Sequence, residues 1–115
     1  MSRKTDLAVE RTARILAHKW NPSIISLLAF GGRRFGKLRS ALPDISHKVL
    51  TEHLRRLERE GIVTRQTKVG GYRRVHYSLT EPGLGLLPII ELMAWWGSSH
   101  GNRVVPSAIQ RRVPV

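Results

Sequence analysis

Lys48, Thr51, Arg55 and Arg59 are spaced so that, at roughly 100° per residue, they share one side of a helix over residues 46–60, with Glu52 among them. Leu50, Leu54 and Leu57 fall in a narrow stripe on the opposite side. Such a rod can bury its leucines and offer hydrogen-bond donors from its other face. The acceptor-rich edges of a duplex groove are a matching target, because Arg and Lys can span the paired acceptors of guanine and Thr can bond to several base edges. Ser46, His47 and Lys48 stand at the N-terminal end, from which a groove-inserted helix makes its base contacts. Glu52 has two roles open to it, accepting from a cytosine amino group or pairing with Lys48 or Arg56 at i, i+4, and pairing is the commoner. Taken alone, a charged face of this kind is as readily a solvated helix surface, so its surroundings decide.

Those surroundings are specific. Ser46 is a helix N-cap, and Ile45 with Leu50 has the spacing of a hydrophobic staple, which fixes how the chain enters the helix. Gly61 ends it after about four turns. A shorter helix is expected over residues 36–42, broken at Pro43, so that two helices meet across a three-residue turn. Arg33, Arg34, Lys37 and Arg39 surround this first helix, which in a helix-turn-helix crosses the backbone of the nucleic acid and adds affinity without sequence choice. Residues 63–68 and 74–79, rich in Val, Thr and Tyr, read as strands, with Gly70-Gly71 near the middle of their connection. The hairpin tip carries Lys68, Tyr72, Arg73 and Arg74, a set suited to phosphates.

Around this motif lie further helices. Val9, Ala13, Leu16 and Trp20 recur at helical spacing, with Asp6 as a cap, so an N-terminal amphipathic helix is expected to end near Lys19. Pro22 suits the first turn of a second helix over residues 23–30, stopped by Gly31-Gly32. Thr80 caps a last helix, with Pro82 in its first turn, and within residues 84–96 only Glu91 is charged. A chain this small can hardly cover both faces of such a helix, which points to a subunit interface anchored by Ile90, Met93, Trp95 and Trp96. Packing wholly inside one chain is the alternative. An apolar pocket near Trp20 and the Trp95-Trp96 pair is a candidate seat for a small-molecule effector that the sequence does not identify. Residues 1–100 therefore form one domain, and residues 101–115, with two Pro and three Arg, a basic and flexible tail.

Composition narrows the class. Twenty Lys and Arg against 8 Asp and Glu leave a formal charge of +12, a field that attracts a polyanion. A 41% hydrophobic content with three Trp separates the chain from disordered basic tails. It has no Cys, which removes disulfides, thiol nucleophiles, thiol redox sensing and cysteine-ligated zinc. No apolar segment follows the basic residues 1–4, and residues 84–96 fall short of the ~20 needed to span a membrane, so a cytoplasmic location without membrane contact is expected. The five His, at 18, 47, 53, 76 and 100, form no i, i+4 pair, and neither a metal nor any other cofactor is expected. Gly31, Gly36 and Lys37 have the spacing of a phosphate-binding loop, but Leu38 stands where magnesium needs Ser or Thr. No catalytic constellation emerges, and an enzyme is not expected.

A spaced set of short pieces runs through Val9-Glu10-Arg11, Lys19-Trp20, Arg34-Phe35, Leu38-Arg39, Leu42-Pro43, Ile45-Ser46 and Val49-Leu50-Thr51. It continues through Leu54, Leu57-Glu58, Gly61, Val63, Tyr77-Ser78-Leu79-Thr80, Gly83, Leu87-Pro88 and Trp96-Gly97. In these pieces, across most of residues 7–97, the chain resembles the HxlR family of winged helix-turn-helix regulators. The resemblance implies a mainly α fold with a small β-hairpin, in which flanking N- and C-terminal helices join a homodimer. Val9, Ala13 and Leu16 would add to the interface anchors of the last helix. It further implies sequence-specific binding of double-stranded DNA at an inverted-repeat operator, with repression or activation of nearby genes. Many members carry a redox-sensing Cys just before the Val-Glu-Arg segment, where this chain has Leu7-Ala8. A basic module that binds DNA or RNA without sequence choice is the competing class.

Overall fold

A computed structural model describes residues 2–70 and 72–98, with the side chains of 68–70, 72 and 73 outside the description. The elements run α1 (Arg3–Leu16), α2 (Asn21–Leu27), β1 (Arg33–Arg34), α3 (Phe35–Ala41), α4 (His47–Arg59), β2 (Val63–Gly70), β3 (Tyr72–Leu79), α5 (Glu81–Gly85) and α6 (Leu87–Ser98). The expected 101–115 tail lies outside the described residues.

α1 begins one turn earlier than expected. Ser2, not Asp6, is the cap, its side chain accepting from the Thr5 N–H at 3.2 Å. The helix also stops at Leu16 rather than near Lys19, because Asn21 Nδ2 takes the Ile15 carbonyl at 2.8 Å and so claims the acceptor that the N–H of residue 19 would have used. α2 starts at Asn21, holds Pro22 in its first turn and ends at Leu27, three residues short of Phe30.

The link between α3 and α4 spans residues 42–46, longer than the expected three. Asp44 makes the turn at φ +67°, a left-handed conformation that a short polar side chain tolerates. Ser46 caps α4 as expected, accepting from the Val49 N–H at 3.1 Å. At the other end Gly61, at φ +77°, donates to the Glu58 carbonyl while Ile62 donates to that of Leu57, the paired bonds of a Schellman stop. Ile62 and Leu57 are both buried there.

The sheet is three-stranded and antiparallel in the order β1-β3-β2. β1 was invisible in the sequence: two arginines become a strand only because Arg33 pairs with Tyr77 and Arg34 with His76. Val63 opposite Leu79 sets the hairpin register. Thr80 then joins the sheet to the following helix, its Oγ1 donating to the Gly61 carbonyl at 2.6 Å and accepting from the Gly83 N–H at 3.1 Å. Gly83 is pressed so close that an added Cβ would collide with the Ile62 carbonyl oxygen.

The single last helix expected from residue 81 onward is two helices. Pro88 has no N–H to give to the Leu84 carbonyl, so the chain turns at Leu86 and restarts at Leu87. The core joins Leu16, Ile24, Ile25 and Leu28 to Leu38, Leu42, Ile45 and the α4 leucines. It thereby fixes α4 against the sheet and the outer helices.

Candidate nucleic-acid interface

The opposed faces of α4 are present. Leu50, Leu54 and Leu57 are at most 1% exposed, whereas Lys48, Glu52, Arg55 and Arg59 are exposed. Burial of three leucines holds the rod rigidly, so the charged side projects from a fixed base. Thr51 is half-buried and donates its hydroxyl to the His47 carbonyl at 2.8 Å, and His47 leans its ring on Phe35 with centroids 4.6 Å apart. These two are braced, and Lys48, Arg55 and Arg59 form the free cationic ridge. Ser46 uses its side chain as the cap. Arg56, exposed like Lys48, donates to His18 Nε2 at 2.7 Å and so is engaged away from Glu52.

The wing lies across a cleft of about 410 Å³ from this helix, with His47, Thr51 and Arg55 on one wall and Arg65, Val75 and Tyr77 on the other. Arg65 and Arg74 are exposed on the two strands. Arg65 was missed in the sequence, although its position in β2, opposite Tyr77, carries the signal. Lys68, Tyr72 and Arg73 occupy the hairpin, with Lys68 paired to Arg74, and their side chains lie outside the description.

The cations around α3 divide. Arg34 and Lys37 are exposed. Arg39 turns its Nε to the Ile45 carbonyl at 3.3 Å and Arg33 its Nε to the Leu27 carbonyl at 2.7 Å, so both also brace the chain.

A second surface is apolar. α1 and α6 border an open groove of about 540 Å³ whose walls include Val9, Ala13, Leu16, Ile89 and Met93. Val9 is 55% exposed, Met93 44% and Trp96 80%, while Ile90 is half-buried against the core and Leu16 is buried within it. Trp95 is half-buried, and its Nε1 has no acceptor among the described residues. The pocket expected near Trp20 exists at about 470 Å³, but its walls are Trp20, Pro22, Leu27, Leu42 and Ile90, with neither Trp95 nor Trp96 among them. Among the described residues no cluster of three or more His, Asp or Glu could hold a metal, and no helix is long and apolar enough to cross a membrane.

A family model described as HxlR-like helix-turn-helix matches residues 15–105. YtcD, an HTH-type transcriptional regulator of Bacillus subtilis, is 34% identical over 102 residues, covering 89% of this chain and 81% of its own length. YdeP of the same organism is 38% identical over 96 residues, 84% of this chain and 75% of YdeP. Among solved structures, the redox regulator HypR in its oxidized form superposes with a TM-score of 0.74 at 38% identity, covering 85% of this chain and 99% of HypR. The reduced form of the transcriptional regulator YodB from B. subtilis gives 0.72 at 35% identity, covering 84% and 91%. With a cationic α4 beside a three-stranded wing and agreement along nearly the whole domain, the chain belongs to the HxlR-like helix-turn-helix family of DNA-binding transcriptional regulators.

Proposed function

We infer that the protein is a sequence-specific regulator of transcription in the cytoplasm, binding double-stranded DNA as a homodimer on an inverted-repeat operator. The observation that carries this reading is the exposed ridge of Lys48, Arg55 and Arg59 on a helix anchored by three buried leucines. A ridge of donors on a rigid helix suits the major groove, and the neighbouring Arg74, with Arg34 and Lys37 around α3, suits flanking phosphates. Lys68, Tyr72 and Arg73 extend the wing's share of that role. The homodimer is supported by the apolar α1/α6 groove and by the large exposed side chains beside it, since an isolated soluble monomer rarely leaves such a surface open. Val9, Ala13, Ile90, Met93, Trp95 and Trp96 would meet their symmetry mates there, with Leu16 at the groove floor.

Twofold symmetry sets the test. Fragments of the host genome retained by the purified protein should share two inverted half-sites whose centres are about one helical turn, or a multiple of it, apart. Retention of fragments with no common sequence would favour the competing reading, a basic module acting through its +12 charge alone.

A further inference from the structure

We propose that the cleft between α1 and the flank of α4 is a binding site for a small organic anion, a carboxylate or phosphate ester with an apolar body. The cleft holds about 380 Å³. Arg11 and Arg14 enter it from α1 and Arg56 from α4, facing Glu60 as the one acidic residue of the lining. Ile15 and Leu57 supply an apolar floor. Three guanidiniums against one carboxylate in a concave space leave positive charge that a bound carboxylate or phosphate oxygen pair can neutralise through charge-assisted hydrogen bonds. The floor gives the rest of such a ligand something to rest on.

The wall is also built in place. Arg56 Nη1 lies 2.7 Å from His18 Nε2, a contact that holds the guanidinium against α1. Behind His18, edge-on with centroids 5.8 Å apart, stands His53. Its Nδ1 meets Asn21 Oδ1 at 2.9 Å, and Asn21, 1% exposed, reaches on to the Ile15 carbonyl. A buried amide therefore ties the end of α1 to α4 beneath the cleft and holds Arg56 ready.

Duplex DNA is the wrong shape for this place. Arg56 and Glu60 lie roughly 80–120° round the α4 axis from the Lys48, Arg55 and Arg59 ridge, on the side turned to α1. A concave site with a carboxylate in its wall repels a phosphate backbone more than it repels one small ion seated among the arginines. The binding step stands apart from the DNA reading, and only its consequence rests on that reading. A ligand bridging α1 to α4 would link the proposed dimer helix to the proposed recognition helix and so bias the spacing of the two ridges.

Titrating the full chain, labelled with nitrogen-15, with benzoate and separately with benzamide tests the site, because the two probes share a shape and differ in charge. Benzoate should give saturable shifts clustered at Arg14, His18, Arg56 and Glu60, and benzamide should not. Arg14→Gln and Arg56→Gln should each weaken benzoate about tenfold with the rest of the spectrum unchanged, the loss of one charge-assisted bond. Arg14→Gln should leave duplex affinity as it was without benzoate. The proposal falls if benzoate does not saturate, if benzamide binds as well, or if the shifts spread over Lys48, Arg55 and Arg74. It falls too if Arg14→Gln alone weakens DNA binding, since the cleft would then serve phosphates of the duplex. Benzoate binding is read without DNA, so failure of the site and failure of the DNA reading are separable.

Discussion

Helices α4 and α6 have nearly the same length, 13 and 12 residues, and opposite relations to the protein around them. α4 hides Leu50, Leu54 and Leu57 completely and shows charge to solvent. α6 carries a single charge, Glu91, among Leu, Ile, Met and Trp, yet none of its residues is buried. An amphipathic helix can be completed by one core, whereas a helix apolar all round needs cover on more sides than the described core supplies. The first is thus finished within the protomer, whereas among the described residues nothing covers the second. That contrast separates stability, recognition and assembly onto different side chains, and each can be broken by itself.

The largest expected effect falls on the finished helix. Leu54→Ala, at a position 1% exposed, should cost about 2–5 kcal/mol in denaturant unfolding, and a cost under about 1 kcal/mol would mean the leucine stripe is not the anchor of α4. The unfinished helix should respond differently. Trp96→Ala with Met93→Ala removes apolar side chains that the protomer leaves exposed, so the protomer should keep its helix content while the proposed dimer dissociates about thirtyfold more readily, or beyond that, in sedimentation. A dimer of unchanged strength would place the interface elsewhere.

On the wing, Arg74→Ala should weaken binding evenly across DNA sequences and lower the slope of log affinity against log salt by about one. A change in base preference instead would make the wing a reader rather than a clamp. The smallest effect concerns His53, whose imidazole is held below its ordinary pKa by burial first, then by the charges of His18 and Arg56, with Glu52 opposing. On acidification the unfolded chain takes the proton first, so this contribution is complete above about pH 6.5 and is lost progressively as the pH falls below that value toward the lowered folded-state pKa. His53→Gln should flatten the stability profile there, and a wild-type profile already flat between about pH 7.5 and about pH 5.5 would contradict the assignment.

α4 is legible in the sequence because its signals are local and agree with one another: a Ser46 cap, a leucine stripe and a glycine stop. The hairpin was legible for the same reason, in the β-branched residues of its two arms. What stayed hidden depends on contacts distant in sequence. Arg33–Arg34 has no strand preference and is a strand only by pairing with β3. α1 is shortened by an amide from Asn21, and His18 lies 35 residues from the His53 ring it meets, so no spacing rule could join them. The break in the last helix is hidden because Pro88, with its missing N–H, sits inside an otherwise unbroken apolar run. Of the candidate interface, the exposed cations could be read from periodicity. That Arg39 and Thr51 also brace the chain could not, since each bonds to a carbonyl whose position only the fold supplies.

On the proposed reading the ridge of α4 chooses sequence while the remaining cations only hold phosphates. Affinity for a selected operator relative to random duplex, measured at physiological salt for the wild type and for Lys48→Ala with Arg55→Ala, tests it most directly. The wild type should show a ratio of about 10³ or more, falling toward unity in the double variant while random-duplex binding drops only modestly. A double variant that keeps the wild-type ratio would contradict it.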